Sequence, residues 1–317
     1  MDLNKYLIIL YSIILFINLP IKGLCNKTKI KLNLVSEVTL TISGKNEQYI
    51  LYKEKDQDLP DEIYVNNVYY DKNVNKVIGL TEEINIVRMV WKEPLTSCYN
   101  LFRSLENVIN IDFSNFDTSH VTAMNNMFAL STSLTSLDLS SFNTSIVTSM
   151  DFMFYGCYSL RYLNVDNFDT SLTTDISSMF FNCSSLTSLD LSSFNTSLVT
   201  NMASVFHDCS SLKYLNIKNF NTSSVTDMFC LFYNCSSLTS LDVSNFKTSL
   251  VNDMEGIFGK CQKLISLNLS NFDTSLVTSM EGMFGGSYSL VSLDLSSFDI
   301  SLVTNMLGMF FDCVSLS

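Results

Sequence analysis

The sequence predicts an α/β solenoid, a right-handed stack of strand–helix units with a parallel strand ladder on its concave side and helices on its convex side. Three observations lead to this fold. One 26-residue pattern recurs without insertions or deletions from Val108 to the end of the chain. Each copy places apolar residues first at alternating positions, as in a strand, and then at near-helical spacing. The residues before position 95 lack the period, and they predict a small β cap at the N-terminus.

Three columns of large apolar residues carry the period. A leucine column begins at Leu134, and phenylalanine columns begin at Phe142 and Phe128, each continuing every 26 residues. A unit of this size cannot bury its apolar face alone, so that each copy must be covered by its neighbours. The columns also account for most of the 23 Phe and 14 Met, which therefore need no cofactor to explain them.

The first residues resemble a secretory signal. In residues 1–23, Lys5 precedes the apolar run Tyr6–Leu19, and cleavage near Gly23 would release the mature chain. An uncleaved N-terminal anchor is the alternative for the same segment. The sequence therefore predicts export, with the protein secreted or held at the cell surface.

Residues 24–94 predict the β-rich cap region. They contain short runs rich in β-branched and aromatic residues, separated by charged turns. A separate ligand-binding domain is the alternative interpretation of this region. The predicted strands lie within Lys29–Ser43, Tyr49–Tyr52, Ile63–Tyr70 and Ile84–Trp91.

Residues 95–317 predict the solenoid itself. Leu95–Leu105 aligns with the predicted repeat helix and forms a degenerate first unit. About eight 26-residue units follow, and the last is incomplete at Ser317. An atypical first unit is expected where a stack meets its cap.

The repeat 134–159 illustrates one unit. Leu137 and Leu139 point inward from a short strand, and Asp138 between them points outward because strand side chains alternate. The polar turn after Phe142 can start a helix. The apolar stripe from Val147 to Cys157 has near-helical spacing, so the unit is expected to be strand, turn, helix, turn.

The repeat resembles a known motif. Ser185–Phe206 reads SLTSLDLSSFNTSLVTNMASVF and continues to Cys209. This is similar to the leucine-rich-repeat surface proteins of the BspA type, in particular the Mycoplasma-type subfamily with 26-residue repeats, and the similarity covers about residues 108–317. The resemblance implies a leucine-rich-repeat-like fold and a secreted or cell-surface protein that adheres or binds partners without catalysis. No bacterial lipobox surrounds Cys25, and a membrane tether is expected only in sequence beyond Ser317.

Outward-facing columns of the predicted strand ladder are the candidate partner-binding residues. In the central repeats Asp accompanies Ser and then Asn accompanies Tyr, which is a 52-residue superperiod. Tyrosines beside carboxylates suit a protein or glycan ligand. The alternative is a solvated face whose regularity reflects repeat copying. The candidates are Asp138, Tyr162, Asn164, Asp190, Tyr214, Asn216 and Asp242.

Asn-x-Ser/Thr sequons are candidate glycosylation sites if the chain follows a eukaryotic secretory route. Duplication of an Asn-, Ser- and Thr-rich repeat could also have produced most of them. Asn26, just after the signal, is the best candidate. The full set is Asn26, Asn143, Asn182, Asn195, Asn221, Asn234 and Asn268.

Charge and motifs exclude several classes of function. Residues 96–317 carry 7 basic and 19 acidic side chains, a poor surface for nucleic acid or anionic lipid. His120 and His207 lack nucleophile or phosphate-loop partners, so no catalytic residue and no cofactor are predicted. No CxxC pair predicts a metal site. The cysteine column that begins at Cys157 favours packing as small hydrophobes, with cross-repeat disulfides as the alternative.

The predicted function is therefore a non-catalytic binding or adhesion module that uses the concave face. The alternative is a structural coat protein that assembles by stacking through an uncapped C-terminal end. An exposed strand ladder can recruit a second chain in this way.

Overall fold

The computed structural model describes residues 36–51, 58–70, 76–80 and 82–317. The predicted signal segment 1–23 and Asn26 lie outside them. The described residues belong to one compact unit, Leu34–Ser317. The strands are β1 Ser36–Ser43, β2 Asn46–Tyr49, β3 Glu62–Val65, β4 Val68–Tyr70, β5 Lys76–Leu80, β6 Ile84–Trp91, β7 Val108–Asn115, β8 Ser136–Asp138, β9 Tyr162–Asn164, β10 Ser188–Asp190 and β11 Tyr214–Asn216.

A five-stranded sheet precedes and joins the repeats. Its order is β4-β3-β6-β1-β7, and its neighbouring strands are antiparallel. Strand β1 alternates buried and half-buried residues, as expected for a sheet with one face on the core. Strand β7, from the first 26-residue copy, pairs with β1 through Leu40 and Ile111. The β region and the repeats therefore share backbone hydrogen bonds.

Local sequence explains the hairpin in this region. The predicted segment Ile63–Tyr70 divides into β3 and β4 because Asn66 and Asn67 both have positive φ, 48° and 67°. A two-residue turn of this kind matches the twist of antiparallel strands, and Asn tolerates it. The predicted strand Ile84–Trp91 coincides with β6.

Successive repeats are hydrogen-bonded to each other at the 26-residue period. On the strand side, meaning residues 136–138 and their equivalents, β8 pairs with β9 and β10 pairs with β11, both in parallel. These pairs do not join into one sheet. On the turn side, meaning residues 144–157 and their equivalents, backbone bonds link nearly every neighbouring pair of repeats.

The predicted α/β solenoid with convex helices is wrong. The described part of the chain contains no α-helix and only short strands in small sheets. Between Val147 and Cys157, where a helix was expected, the chain makes successive turns. The N–H of Cys157 donates to the carbonyl of Phe154 at 3.1 Å, whereas the N–H of Phe154 donates to Met179 in the next repeat at 2.9 Å.

Backbone conformation explains the absence of helix. Phe152 and Gly156 have φ of 56° and 68°, in the left-handed region that an α-helix cannot contain. Their equivalents share the positive φ, and many are Gly, Asn or Asp, which tolerate it. The equivalents are Asn126, Ser178, Ser204, Cys230, Gly256, Gly282 and Gly308 for Phe152, and Leu130, Asn182, Asp208, Asn234, Lys260, Gly286 and Asp312 for Gly156.

The core runs along the repeats as columns of like residues. The Phe128 column is buried as far as Phe284, and each ring stacks on its neighbour. Phe154 and Phe180, for example, have centroids 5.5 Å apart with rings 6° from parallel. The predicted inward leucines Leu137 and Leu139 are buried as well. Each repeat therefore packs its apolar residues against the equivalent residues of the next, within offset-stacking distance for the aromatics.

Candidate functional site

The strand side carries the seven predicted partner-binding residues. Strand side chains alternate there, so that Leu137 and Leu189 face the core while Asp138 and Asp190 are exposed. Tyr162 and Tyr214 are 57% and 53% exposed. Parallel pairing places each tyrosine beside a serine of the previous repeat, Ser136 and Ser188. Two equivalent aromatic side chains therefore face outward, 52 residues apart.

The carboxylates of this face pair with amides of the next repeat. Asn164 Nδ2 donates to Asp138 Oδ1 at 3.2 Å, and Asn216 Nδ2 donates to both oxygens of Asp190 at 3.0 and 3.1 Å. Carboxylates on neighbouring strands would repel each other, and alternation with Asn replaces this repulsion with a hydrogen bond. The 52-residue superperiod thus has a physical role in pairing repeats two by two.

The same carboxylates end the strands. The Ser140 N–H donates to Asp138 Oδ1 at 3.0 Å, and the Ser244 N–H makes the equivalent bond to Asp242. The Ser140 hydroxyl, its N–H and the Asn164 amide lower the pKa of Asp138. Asp242 lies outside the described strands, yet it is also exposed and makes the same turn. These acids therefore have a structural role beside any contact role.

The predicted sequons fall in three environments. Asn143, Asn195 and Asn221 are exposed at the turn after the strand, where each side-chain oxygen accepts from the N–H two residues later. Asn268 is exposed and makes the same bond to the Ser270 N–H. Asn182 and Asn234 are half-buried with positive φ. Glycosylation of any of them stays a prediction.

A column of buried threonines links the repeats and was missed in the sequence. Thr196 Oγ1 donates to the carbonyl of Asn221 at 3.0 Å and accepts from the N–H of the same residue at 2.7 Å. The same pair of bonds recurs at Thr118, Thr144, Thr170, Thr222 and Thr248. Thr at seven successive copies of this position, from Thr118 to Thr274, was the available signal.

The cysteine column is free of disulfides, and its members from Cys157 to Cys261 are buried while Cys313 is half-buried. Each thiol donates to the carbonyl of the phenylalanine in the previous repeat, as Cys209 Sγ does to Phe180 at 3.2 Å. Ser287 makes the same bond to Phe258 at 2.9 Å, which explains why serine substitutes here. Burial raises the pKa of the Cys209 thiol to about 12, so this column favours an inert structural role.

Two further features of the turn side are exposed to solvent. Tyr155, Phe181, His207 and Tyr233 form a half-buried aromatic ladder through neighbouring repeats. A second, aliphatic column lies just before the buried valines. Its members are about half-exposed and comprise Ile146, Leu172, Leu198, Leu250, Leu276 and Leu302. Both follow the 26-residue period and could have been found in the sequence.

Within the described ranges, no cluster of three or more His, Cys, Asp or Glu side chains could hold a metal ion. Among those residues, no helix is long and apolar enough to cross a bilayer. The two histidines lie apart. His120 Nδ1 contacts the hydroxyl of its neighbour Ser119, and His207 belongs to the aromatic ladder.

Comparison with known proteins places the repeats in a family. No curated protein matches the chain significantly. A family described as "Mycoplasma protein of unknown function, DUF285" matches three consecutive segments, residues 90–162, 158–241 and 239–317. These segments cover more than half of the sequence and the whole of the periodic region. The chain is a tandem-repeat protein that belongs to the DUF285 family of Mycoplasma proteins of unknown function.

Proposed function

We propose that the protein is a secreted or cell-surface binding module without catalytic activity, and that its strand side contacts a protein or glycan ligand. The observation that carries the proposal is the pair Tyr162 and Tyr214, more than half exposed at equivalent positions of a polar face. In the free protein, hydration of an exposed aromatic ring has a free-energy cost. Contact with a ligand removes the ring from water and recovers that free energy.

Two features of the sequence support the location and the class of function. Residues 1–23 have the pattern of a secretory leader. The repeat motif also resembles that of BspA-type surface proteins, and tandem DUF285 repeats are consistent with a repeat-containing surface protein. The acidic balance of residues 96–317 disfavours nucleic acid as the ligand.

The test is binding of the purified chain to immobilised mucin, as a glycan-rich surface, and to immobilised fibronectin, as a protein surface. We expect retention on one of them by surface plasmon resonance. Substitution of Tyr162→Ser together with Tyr214→Ser should weaken it at least about tenfold, because buried aromatic side chains dominate interface energies.

A matched control is the pair Leu172→Ser and Leu198→Ser. These leucines are 46% and 47% exposed, but they lie in the aliphatic column of the turn side. Loss of binding in this control with retention in the tyrosine variant would move the contact surface to that column. No retention on either surface by the parent chain would contradict the proposed ligand classes.

A further inference from the structure

The aromatic ladder of the turn side is interrupted after four rings. Tyr155 and Phe181 have centroids 4.8 Å apart, Phe181 and His207 4.5 Å, and His207 and Tyr233 4.8 Å. In each of these three pairs, the two rings are stacked within 28° of parallel. The next two equivalent positions are Gly259 and Gly285, and an aromatic residue returns only at Phe311.

A cavity lies where the two rings are missing. Its volume is about 300 Å³, and Tyr233, Tyr288 and Phe311 line it together with a floor of glycines. A Cβ added at Gly282 would meet no atom within 4 Å, so this part of the floor is open. The volume and lining are at the lower end of those of small-molecule sites.

The spacing of the repeats defines what fits. Tyr233 and Phe311 are three repeats apart, which is roughly 14 Å at the usual strand spacing of about 4.8 Å. Two planar rings at ladder spacing occupy that length. Gly259 and Gly285 carry no ring, and the open part of the backbone is at Gly282, where glycine permits close approach of a ligand.

Polar groups of both signs border the cavity. Lys260 Nζ lies 5.1 Å from the Tyr233 ring centroid. Glu281 accepts a hydrogen bond from Asn305 Nδ2 through Oε2 at 2.7 Å, and its other carboxylate oxygen can accept a second. Asp312 adds a second carboxylate to the lining, so that the acceptors outnumber the single lysine and favour a ligand with a hydrogen-bond donor.

We propose that this cavity, the ladder slot, binds a planar aromatic small molecule with an N–H or O–H donor, which lies between Tyr233 and Phe311. The ligand ring lies over the backbone of Gly282, where an added Cβ would meet no atom within 4 Å, and its donor points toward the Glu281 carboxylate. Stacked aromatic pairs gain free energy beyond area burial at centroid distances of about 4.5–7 Å, the range that the ladder already uses.

Indole is the probe, because it is planar and neutral and carries one N–H donor. Equilibrium dialysis of the 317-residue chain against indole should show saturable binding. Gly259→Phe should weaken it at least tenfold, since the new side chain competes with the ligand for the space beside the Tyr233 ring. Gly259 lacks a positive φ, but its new Cβ would lie 2.8 Å from the Tyr233 ring and 3.1 Å from the Gly282 carbonyl oxygen, so that both must shift.

A second variant keeps the test independent of the folding of Gly259→Phe. Phe311→Ser removes the far wall, and this side chain is 68% exposed, so the fold does not depend on it. It should also weaken indole binding. The control is Val314→Ser, a change of a 77% exposed apolar residue outside the slot, which should leave binding unchanged.

Three results would overturn the proposal. They are binding that does not saturate, binding unchanged in both slot variants, and equal loss in Val314→Ser, which would indicate general adsorption to apolar surface. The slot and the strand-side face share no residue, and indole binding by the Tyr162→Ser/Tyr214→Ser variant therefore separates failure of this inference from failure of the proposed function.

Discussion

The two sides of each repeat are held together differently. On the strand side, three-residue strands pair only two by two, and Asn164 and Asn216 link the two members of each pair to Asp138 and Asp190. On the turn side, backbone and threonine bonds pass from almost every repeat to the next. Buried hydrogen bonds are costly to break, so the turn side is expected to carry most of the stability. The strand side is correspondingly free to vary and to bind.

The largest expected effect comes from the threonine column. Thr196→Val keeps the shape of a fully buried side chain but leaves the Asn221 N–H and carbonyl without their partner. The free energy of unfolding should fall by about 2 kcal/mol, because two partly buried backbone groups lose their hydrogen bonds. Urea denaturation followed by circular dichroism measures this.

Thr200→Val is the matched control for that change. Thr200 lies in the same repeat, is exposed, and makes a single long bond of 3.4 Å to the Thr174 carbonyl. Its loss should cost less than about 1 kcal/mol. Equal effects of the two substitutions would remove the distinction between the buried and the exposed threonines.

The aromatic ladder makes the turn side sensitive to mild acid. Burial lowers the pKa of His207, although the Asp208 carboxylate, 3.1 Å from Nδ1, opposes the shift. The unfolded chain therefore binds a proton more readily than the folded chain. Stability is complete above the ordinary pKa of about 6.5 and falls as the pH drops below it.

His207→Phe continues the ladder with an uncharged ring, as Phe181 does one repeat earlier. The melting temperature of this variant should fall less between pH 7.5 and pH 5.5 than that of the parent, on the linkage argument. Differential scanning calorimetry across this range checks it. If the melting temperatures of the two proteins fall equally with pH, a group other than His207 causes the acid sensitivity.

The smallest expected effect concerns the cysteine column. Cys209→Ser should change the free energy of unfolding by less than about 1 kcal/mol, because Ser retains the donor to the Phe180 carbonyl. Cys209→Ala should cost more, since it removes both the donor and part of the packing. Chemical denaturation under reducing conditions compares the free energies of unfolding of the three proteins. A Ser variant less stable than the Ala variant would contradict the role of Cys209 as a hydrogen-bond donor.

Much of the site was visible in the sequence because strand alternation is local. Leu137 buried beside exposed Asp138, and exposed Tyr162 and Tyr214, follow from side chains that point to opposite faces. The ladder slot was not foreseen. It depends on the absence of aromatic rings at Gly259 and Gly285, where neighbouring repeats carry them. This absence becomes visible only when equivalent residues stack.

The sequence by itself determined the 26-residue period, the buried columns and the residues that face outward. Tertiary structure alone decided the path between Val147 and Cys157. Apolar residues three and four apart suit a helix and a series of tight turns equally well. The turns form because alternate N–H groups, such as that of Phe154, meet carbonyls of the next repeat. Those acceptors exist only after the repeats have assembled, and no single repeat encodes them.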